Sequence, residues 1–254
     1  MRALPSIDMH AHIDAAIDPS ELTALDALVF AACRTLDEAE IAFARTDAFT
    51  VWGTGCHPGL VGAQKAFNVE RFREQVLRTP YVAELGLDGK SRVPIDMQKR
   101  TLRSAFDVLT EHPRITSLHS YAATEELIDL LEQYKLQGVV LHWWLGNEEL
   151  TARAIELGCY FSLNSSSIRN GELLRPLPLD RLLPETDHPF GNRTGAKPRR
   201  PGQVSDIEAR IASSFKLAVE EVRAIMWRNL AEIVRSTRVG GLMPDRVRVL
   251  LLTL

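Results

Sequence analysis

Eight short apolar runs alternate with stretches of helical spacing along 254 residues, and histidines gather where those runs end. These two observations predict a single-domain (β/α)8 TIM barrel with a metal site at the C-terminal ends of its strands. A repeated strand-then-helix unit calls for a parallel sheet. Eight such units in about 250 residues fit a closed barrel better than an open sheet.

The first strand is expected over residues 4–9, running into Asp8-Met9-His10-Ala11-His12. Alternate side chains of a strand share a face, so Asp8, His10 and His12 converge, and Asp8 is placed to accept the second N–H of a ring. Strands two and three fall at 27–32 and 49–53, the latter running into Cys56-His57-Pro58. Strand four, 81–87, carries Glu84; strand five, 115–118, stops at His119; strand six, 138–141, stops at His142. Strand seven covers 159–163, and strand eight, 181–185, runs into Thr186-Asp187-His188-Pro189. Helical spacing fills 36–45, 68–77, 98–109, 124–134 and 148–157 between them. A Pro/Gly-rich loop, 188–202, precedes closing helices at 204–214 and 218–235. Residues 1–236 are thus read as the barrel and 237–254 as a C-terminal tail, whose apolar end reads as an extra strand or a docking tail.

Composition excludes several classes. With 45% hydrophobic and 25% charged residues the chain is ordinary for a globular domain. A net charge of −3 gives no global basic field, so nucleic-acid binding has to come from a local patch. Three cysteines, Cys33, Cys56 and Cys159, are too few and unpatterned for a disulfide framework and point to the reducing cytoplasm. The N-terminus has no basic segment followed by an apolar core. No stretch approaches the roughly 18–20 apolar residues of a membrane span.

Of the seven histidines, only His112 lies away from an expected strand end. Chemistry in such barrels sits at those ends. His10, His12, His119 and His142 with Glu84 and Asp187 make enough ligands for two metal ions, and Glu84 can bridge them through its two oxygens. Two ions about 3.5–4 Å apart can stabilise both the attacking and the leaving oxygen of a phosphoryl displacement. Asp187, at the mouth of the last strand, is placed to take a proton from the attacking water.

The order Asp8-x-His10-x-His12, Gly55-Cys56-His57-Pro58, Glu84-Leu-Gly-Leu-Asp88, His119, His142, Glu185-Thr186-Asp187-x-Pro189 resembles the TatD-like metal-dependent deoxyribonucleases of the amidohydrolase superfamily. The resemblance runs from Asp8 to Asn229 and includes Arg200-Pro201. It implies that His10, His12, Glu84 and Asp187 hold one divalent ion (Mg, Mn or Zn) and that Glu84, His119 and His142 hold a second. Glu84, Asp187 and His57 would then be catalytic, His57 touching substrate phosphate or water, with Asp8 and Asp88 behind the ligands. The implied activity is hydrolysis of DNA phosphodiesters, on single strands or 3′ ends. More narrowly, Glu84–Gly89, Leu118–Ala123, the 140–144 stretch and Gly158–Ser162 resemble QatD, the TatD-like component of a bacterial anti-phage defence cassette, which implies partner proteins.

Two positions depart from the family. Tyr121 stands where an Arg is frequent, offering a hydroxyl and a stacking face to substrate phosphate or base. His188 replaces a small residue. Arg193, Lys197, Arg199 and Arg200, with no acid among them, form the best local phosphate patch. Trp143 and Trp144 follow His142, where one of them can stack on a base. Two further readings stay open: an amidohydrolase acting on a modified nucleotide or ester, and an inactive barrel serving as a subunit of a complex.

Overall fold

The computed structural model describes residues 4–169, 174–191 and 200–254. Its elements run β1 (Ser6–Ala11), α1 (Pro19–Thr23), β2 (Ala27–Ala31), α2 (Leu36–Ala42), β3 (Thr50–Trp52), α3 (Val61–Ala66), α4 (Val69–Val76) and β4 (Tyr81–Gly86). They continue with α5 (Ile95–Glu111), β5 (Ile115–His119), α6 (Thr124–Tyr134), β6 (Val139–Leu141), α7 (Glu148–Glu156), β7 (Tyr160–Leu163), β8 (Leu182–Pro184), α8 (Ser205–Phe215), α9 (Val219–Thr237) and α10 (Asp245–Leu251). The strand–helix alternation follows the expected order, with boundaries moved by one to a few residues.

All strand pairs are parallel, in two hydrogen-bonded runs, β1-β2-β3 and β4-β5-β6-β7-β8. Two narrow seams complete the (β/α)8 barrel. Between β3 and β4, Ala83 N–H donates to Thr54 O at 2.9 Å. Between β8 and β1, Asp187 N–H donates to His10 O and His12 N–H donates to His188 O, both at 2.8 Å. Strand side chains are buried on both faces, as expected for a sheet wrapped by helices.

Side chains hold the seams where the ladder is short. Asp8, fully buried in β1, receives four donors. Its Oδ1 accepts from Thr186 N at 2.8 Å and more weakly from His10 N at 3.4 Å. Its Oδ2 accepts from Thr186 Oγ1 at 2.6 Å and Gly202 N at 2.8 Å. Burial pushes its carboxyl up to about 6 against the pull of the Gly202 and Thr186 donors. The expectation that Asp8 orients a histidine ring is therefore corrected: its lone pairs are spent on stapling β1 to the end of β8 and to the loop at Gly202. At the other seam Thr54 Oγ1 donates to Gln75 Oε1 at 2.7 Å, and Gln75 Nε2 donates to Leu36 O at 2.8 Å.

The end of the barrel opposite the histidines is closed by α8 and α9. Glu208, fully buried, takes a two-pronged contact from Arg223, whose third nitrogen donates to Leu4 O at 3.3 Å. Trp227 Nε1 donates to Pro5 O at 2.8 Å, and Asn229 Nδ2 to Leu179 O and Leu182 O at 3.0 and 2.8 Å. Asn229, matched above to the family's closing segment, thus anchors the start of β8.

Three helices escape the sequence reading. α1 and α3 are five and six residues long, too short for apolar periodicity to register. α1 does carry a start signal, Asp18 accepting from Ser20 N at 2.8 Å with Pro19 next in the chain. The third correction is the tail: residues 245–251 form a helix, not a strand. Val239, Met243 and Val247 are buried in the main core, and Arg246 lies over the Phe49 ring ahead of β3. The apolar residues Val247, Leu250 and Leu251 keep the three- and four-residue spacing that β-propensity masked.

Replacing Asp8 tests the staple. Either orientation of an amide in Asp8→Asn sets its NH2 against a backbone N–H, of Gly202 or of Thr186. The substitution should cost about 1–3 kcal/mol, lowering Tm by about 2–4 °C for each kcal/mol in a chain of this size. Scanning calorimetry reads this directly, and an unchanged Tm would sink the assignment.

Candidate metal centre

The C-terminal mouth of the barrel gathers six residues from five strand ends around Glu84. Glu84 is 1% exposed, and its two oxygens face two sides. Oε1 lies 2.8 Å from His119 Nδ1 and 2.9 Å from His142 Nε2. Oε2 lies 3.3 Å from His12 Nε2, 3.4 Å from His57 Nε2 and 3.9 Å from His10 Nε2. Asp187 Oδ1 faces the same pair, 3.6 Å from His12 Nε2 and 3.9 Å from His10 Nε2. The sequence-derived ligands His10, His12, Glu84, His119, His142 and Asp187 are all brought together.

Local structure explains the placement. The register of β1 against β2 shifts between Asp8 and Ala11, and that of β4 against β5 between Val82 and Leu85, so both strands turn where they present ligands. Gly55 lets the loop after β3 lie on the strand carrying Glu84, since a Cβ there would come within 2.3 Å of Glu84 N. Gly86 takes φ +138°, and a Cβ on it would meet His119 O at 2.1 Å. Asp187 itself adopts φ +44°, a left-handed turn that Asp tolerates better than most residues.

Second contacts decide which nitrogen each ring offers. His10 Nδ1 is hydrogen-bonded to Ser117 Oγ at 2.8 Å, and His12 Nδ1 donates to Ala32 O at 3.1 Å, so both turn Nε2 toward the carboxylates. His57 differs. Its Nδ1 accepts from Gly59 N–H at 2.9 Å, so the neutral ring carries its proton on Nε2. His57, Glu84 and His119 are close enough to hold a cation, but this tautomer makes His57 a hydrogen-bond donor into the site. His142 Nδ1 faces Glu185 Oε1 at 3.8 Å.

Buried orphan atoms test whether a cation fits. Among the described residues, Glu84 Oε2 is buried without a hydrogen-bond partner inside the cluster, while the orphaned His119 Nε2 and His142 Nδ1 lie on the ring edges turned away from Glu84. Ring nitrogens also face each other, His10 Nε2 to His12 Nε2 at 3.4 Å and His119 Nδ1 to His142 Nε2 at 3.2 Å. Imidazole lone pairs and carboxylate oxygens within reach of one another suit divalent ions. The residues present therefore fit a metal centre.

Burial lowers His10 well below the usual histidine range and lowers His57 as well. Burial would raise Glu84, but His57, His142 and bonds from His119 and His12 outweigh it and hold the carboxyl well below its ordinary value. Burial would lower His142, yet the facing Glu84 and Glu185 raise it well above. Burial raises Asp187 far above a normal carboxyl, with Glu185, Glu84 and Asp8 adding to it. Without a cation, His142 and Asp187 therefore hold their protons to higher pH than free groups of their kind.

The remaining candidates scatter. Tyr121 is 56% exposed at the mouth. Trp144 is fully buried, with Nε1 donating to Thr151 Oγ1, so base stacking is left to the half-buried Trp143. Asp88 Oδ2 stands 4.0 Å from His119 Nε2. Arg200 is exposed, while Arg193, Lys197 and Arg199 lie outside the described residues. His188 is half-buried and borders a groove of about 430 Å³ beside His12, Asp14, Ile17 and Pro201. Ser117 and Glu185 were not singled out from sequence. Their signals are position: Ser117 precedes His119 by two on one strand face, and Glu185 precedes Asp187 by two.

The family model described as TatD related DNase matches residues 7–235. The chain belongs to the TatD-related DNase family. It is 26% identical over 164 residues to the metal-dependent hydrolase YabD of Bacillus subtilis, covering 61% of this chain and 64% of that protein. It is 25% identical over 178 residues to human deoxyribonuclease TATDN3, covering 67% of this chain and 64% of that protein. The chain thus spans just under two thirds of the length of these relatives. The crystal structure of the TatD homologue YjjV from Escherichia coli superposes with a TM-score of 0.80 at 20% identity, covering 90% of this chain and 97% of that one. The last likeness is one of fold.

Metal uptake should release protons, because a cation displaces those held by His142 and Asp187. Affinity should therefore rise with pH as these two groups lose their protons. Titration calorimetry with Mn²⁺ in two buffers of different ionisation heat checks this; heats that do not depend on the buffer would contradict it.

Proposed function

We propose that this chain is a metal-dependent phosphodiesterase that hydrolyses DNA, using two divalent ions held on either side of Glu84. The observation that supports it most is the split of Glu84: one oxygen toward His119 and His142, the other toward His12 and His10. In this reading His10, His12, Glu84 and Asp187 hold one ion, and Glu84, His119 and His142 the other. When bound, such ions neutralise phosphate charge and acidify a water.

The chain's own residues do the rest. Asp187 turns Oδ1 toward His10 and His12, leaving a second oxygen to take the proton of the attacking water. His57, its proton fixed on Nε2 by Gly59, donates to a phosphate oxygen of the substrate. Tyr121 and Trp143 line the mouth where a base leaves the stack, which suits single strands and 3′ ends. Arg193, Lys197, Arg199 and Arg200 supply contacts to the DNA backbone, each releasing counterions as DNA docks. The motifs 84–89 and 118–123 support placing the chain in the QatD branch, as the nuclease component of a cytoplasmic anti-phage complex with partner proteins.

A nuclease assay on single-stranded and duplex DNA with Mg²⁺ or Mn²⁺ tests the activity, and cleavage should vanish with chelator. A metal-loaded chain that cleaves an ester or a modified nucleotide but no DNA would favour the amidohydrolase reading. Asp187→Asn should lower kcat by about 10²–10⁴ while DNA binding persists. Neutralising the four basic loop residues should do the opposite, weakening Kd and flattening its dependence on salt with kcat kept. If the loop variant keeps the wild-type salt slope, the loop is not the phosphate grip.

A further inference from the structure

We propose that Glu185 is a positioning carboxylate that enables the second cation position, the one at His119 and His142, acting behind His142 as the family resemblance implies Asp88 does behind His119. The inference rests on the two-ion reading above.

The two positions are unequal in charge. The position at His10 and His12 has the whole of Asp187 and one oxygen of Glu84. The position at His119 and His142 has only the other oxygen of Glu84. A dication there faces two neutral rings and half a carboxylate.

The partners behind the rings are unequal in the opposite sense. His10 and His12 are backed by neutral oxygens, Ser117 Oγ and Ala32 O. His142 Nδ1 faces Glu185 Oε1 at 3.8 Å, and His119 Nε2 faces Asp88 Oδ2 at 4.0 Å. Both of these ring nitrogens are buried and lack hydrogen-bond partners among the described residues. Carboxylates thus stand behind the rings where carboxylate ligands are fewest. A carboxylate behind a ligating imidazole orients the ring and makes it a stronger donor.

Glu185 is held for this task. It is fully buried. Oε1 accepts from Trp143 N at 2.9 Å and Asn164 Nδ2 at 3.1 Å, and Oε2 accepts from Ser162 Oγ. Three donors converge on it, so the group is fixed as an acceptor. The Trp143 contact also places the residue next to His142, which adopts φ +46°. Glu185 touches no ligand position directly, so it acts through His142.

The test is Mn²⁺ binding to the metal-stripped full chain, followed by electron paramagnetic resonance and by metal analysis at fixed free Mn²⁺. Wild type should take two ions. Glu185→Gln preserves shape, and its amide can donate to Ser162 Oγ while its oxygen keeps the other two donors. It should keep the first ion at wild-type affinity and bind the second about 10–100-fold more weakly. Asp88→Asn should weaken the same ion. A packing defect would weaken both ions together, and that pattern overturns the proposal. So does a Glu185→Gln chain that binds both ions as wild type does. A wild-type chain that takes one ion only overturns the two-ion reading itself. If Glu185→Gln fails to fold by circular dichroism, Asp88→Asn, on a half-buried turn, decides the question alone.

Discussion

A buried carboxylate surrounded by imidazoles is the constraint on which the rest of this molecule depends. Glu84 sits on β4 with both oxygens out of water. An uncompensated charge at such a depth would cost several kcal/mol or shift to the neutral form. Here it stays ionised because His57, His142, His119 and His12 converge on it. That convergence needs side chains from the ends of β1, β5 and β6 and from the turn after β3 at the height of Glu84, which a closed parallel barrel supplies.

The barrel in turn is shaped around that height. Glycines at 55 and 86 allow the loop after β3 and the end of β5 to lie directly on β4. Asp8 spends a second buried carboxylate on purely structural work, joining β1 to Thr186 and Gly202 so that Asp187 arrives beside His10 and His12. α8 and α9 close the far end with apolar contacts and a few directed bonds, leaving the histidine end open. The two ends differ in chemistry: among the described residues the histidine end keeps buried polar atoms without partners, while Glu208, Trp227 and Asn229 at the other end are all hydrogen-bonded.

Within the mouth, the tautomers separate two kinds of histidine that sequence spacing treats alike. His12 spends a proton on the Ala32 carbonyl behind it and exposes a lone pair, and His10 is tied by the same ring nitrogen to the Ser117 hydroxyl. His57 receives a backbone N–H and exposes a proton instead. One residue type thereby supplies both ligands and a donor, and the difference lies in a single backbone contact from Gly59.

The gathering of these residues at one mouth was legible in the sequence. Period-two alternation ties His10 to His12, strand-end placement marks His119 and His142, and the acids Glu84 and Asp187 fall at equivalent points of the repeat. The (β/α)8 order was legible for the same reason, since local periodicity reports which face a residue occupies. What tertiary structure decided is everything that depends on contacts distant in the chain. Asp8 has the spacing of a ring-orienting acid, yet its partners are Thr186 and Gly202. Ser117 looks like strand filler, yet it meets His10, and Glu185 looks like a neighbour of Asp187, yet it faces His142. Trp143 and Trp144 are adjacent in sequence, but one is half-buried and the other is fully buried against Thr151. α10 was obscured because β-branched and leucine residues suit strands and helices alike, and only packing against the barrel end selects between them. Local pattern specifies which residues share a face; the partner each one meets there is set by closure of the barrel.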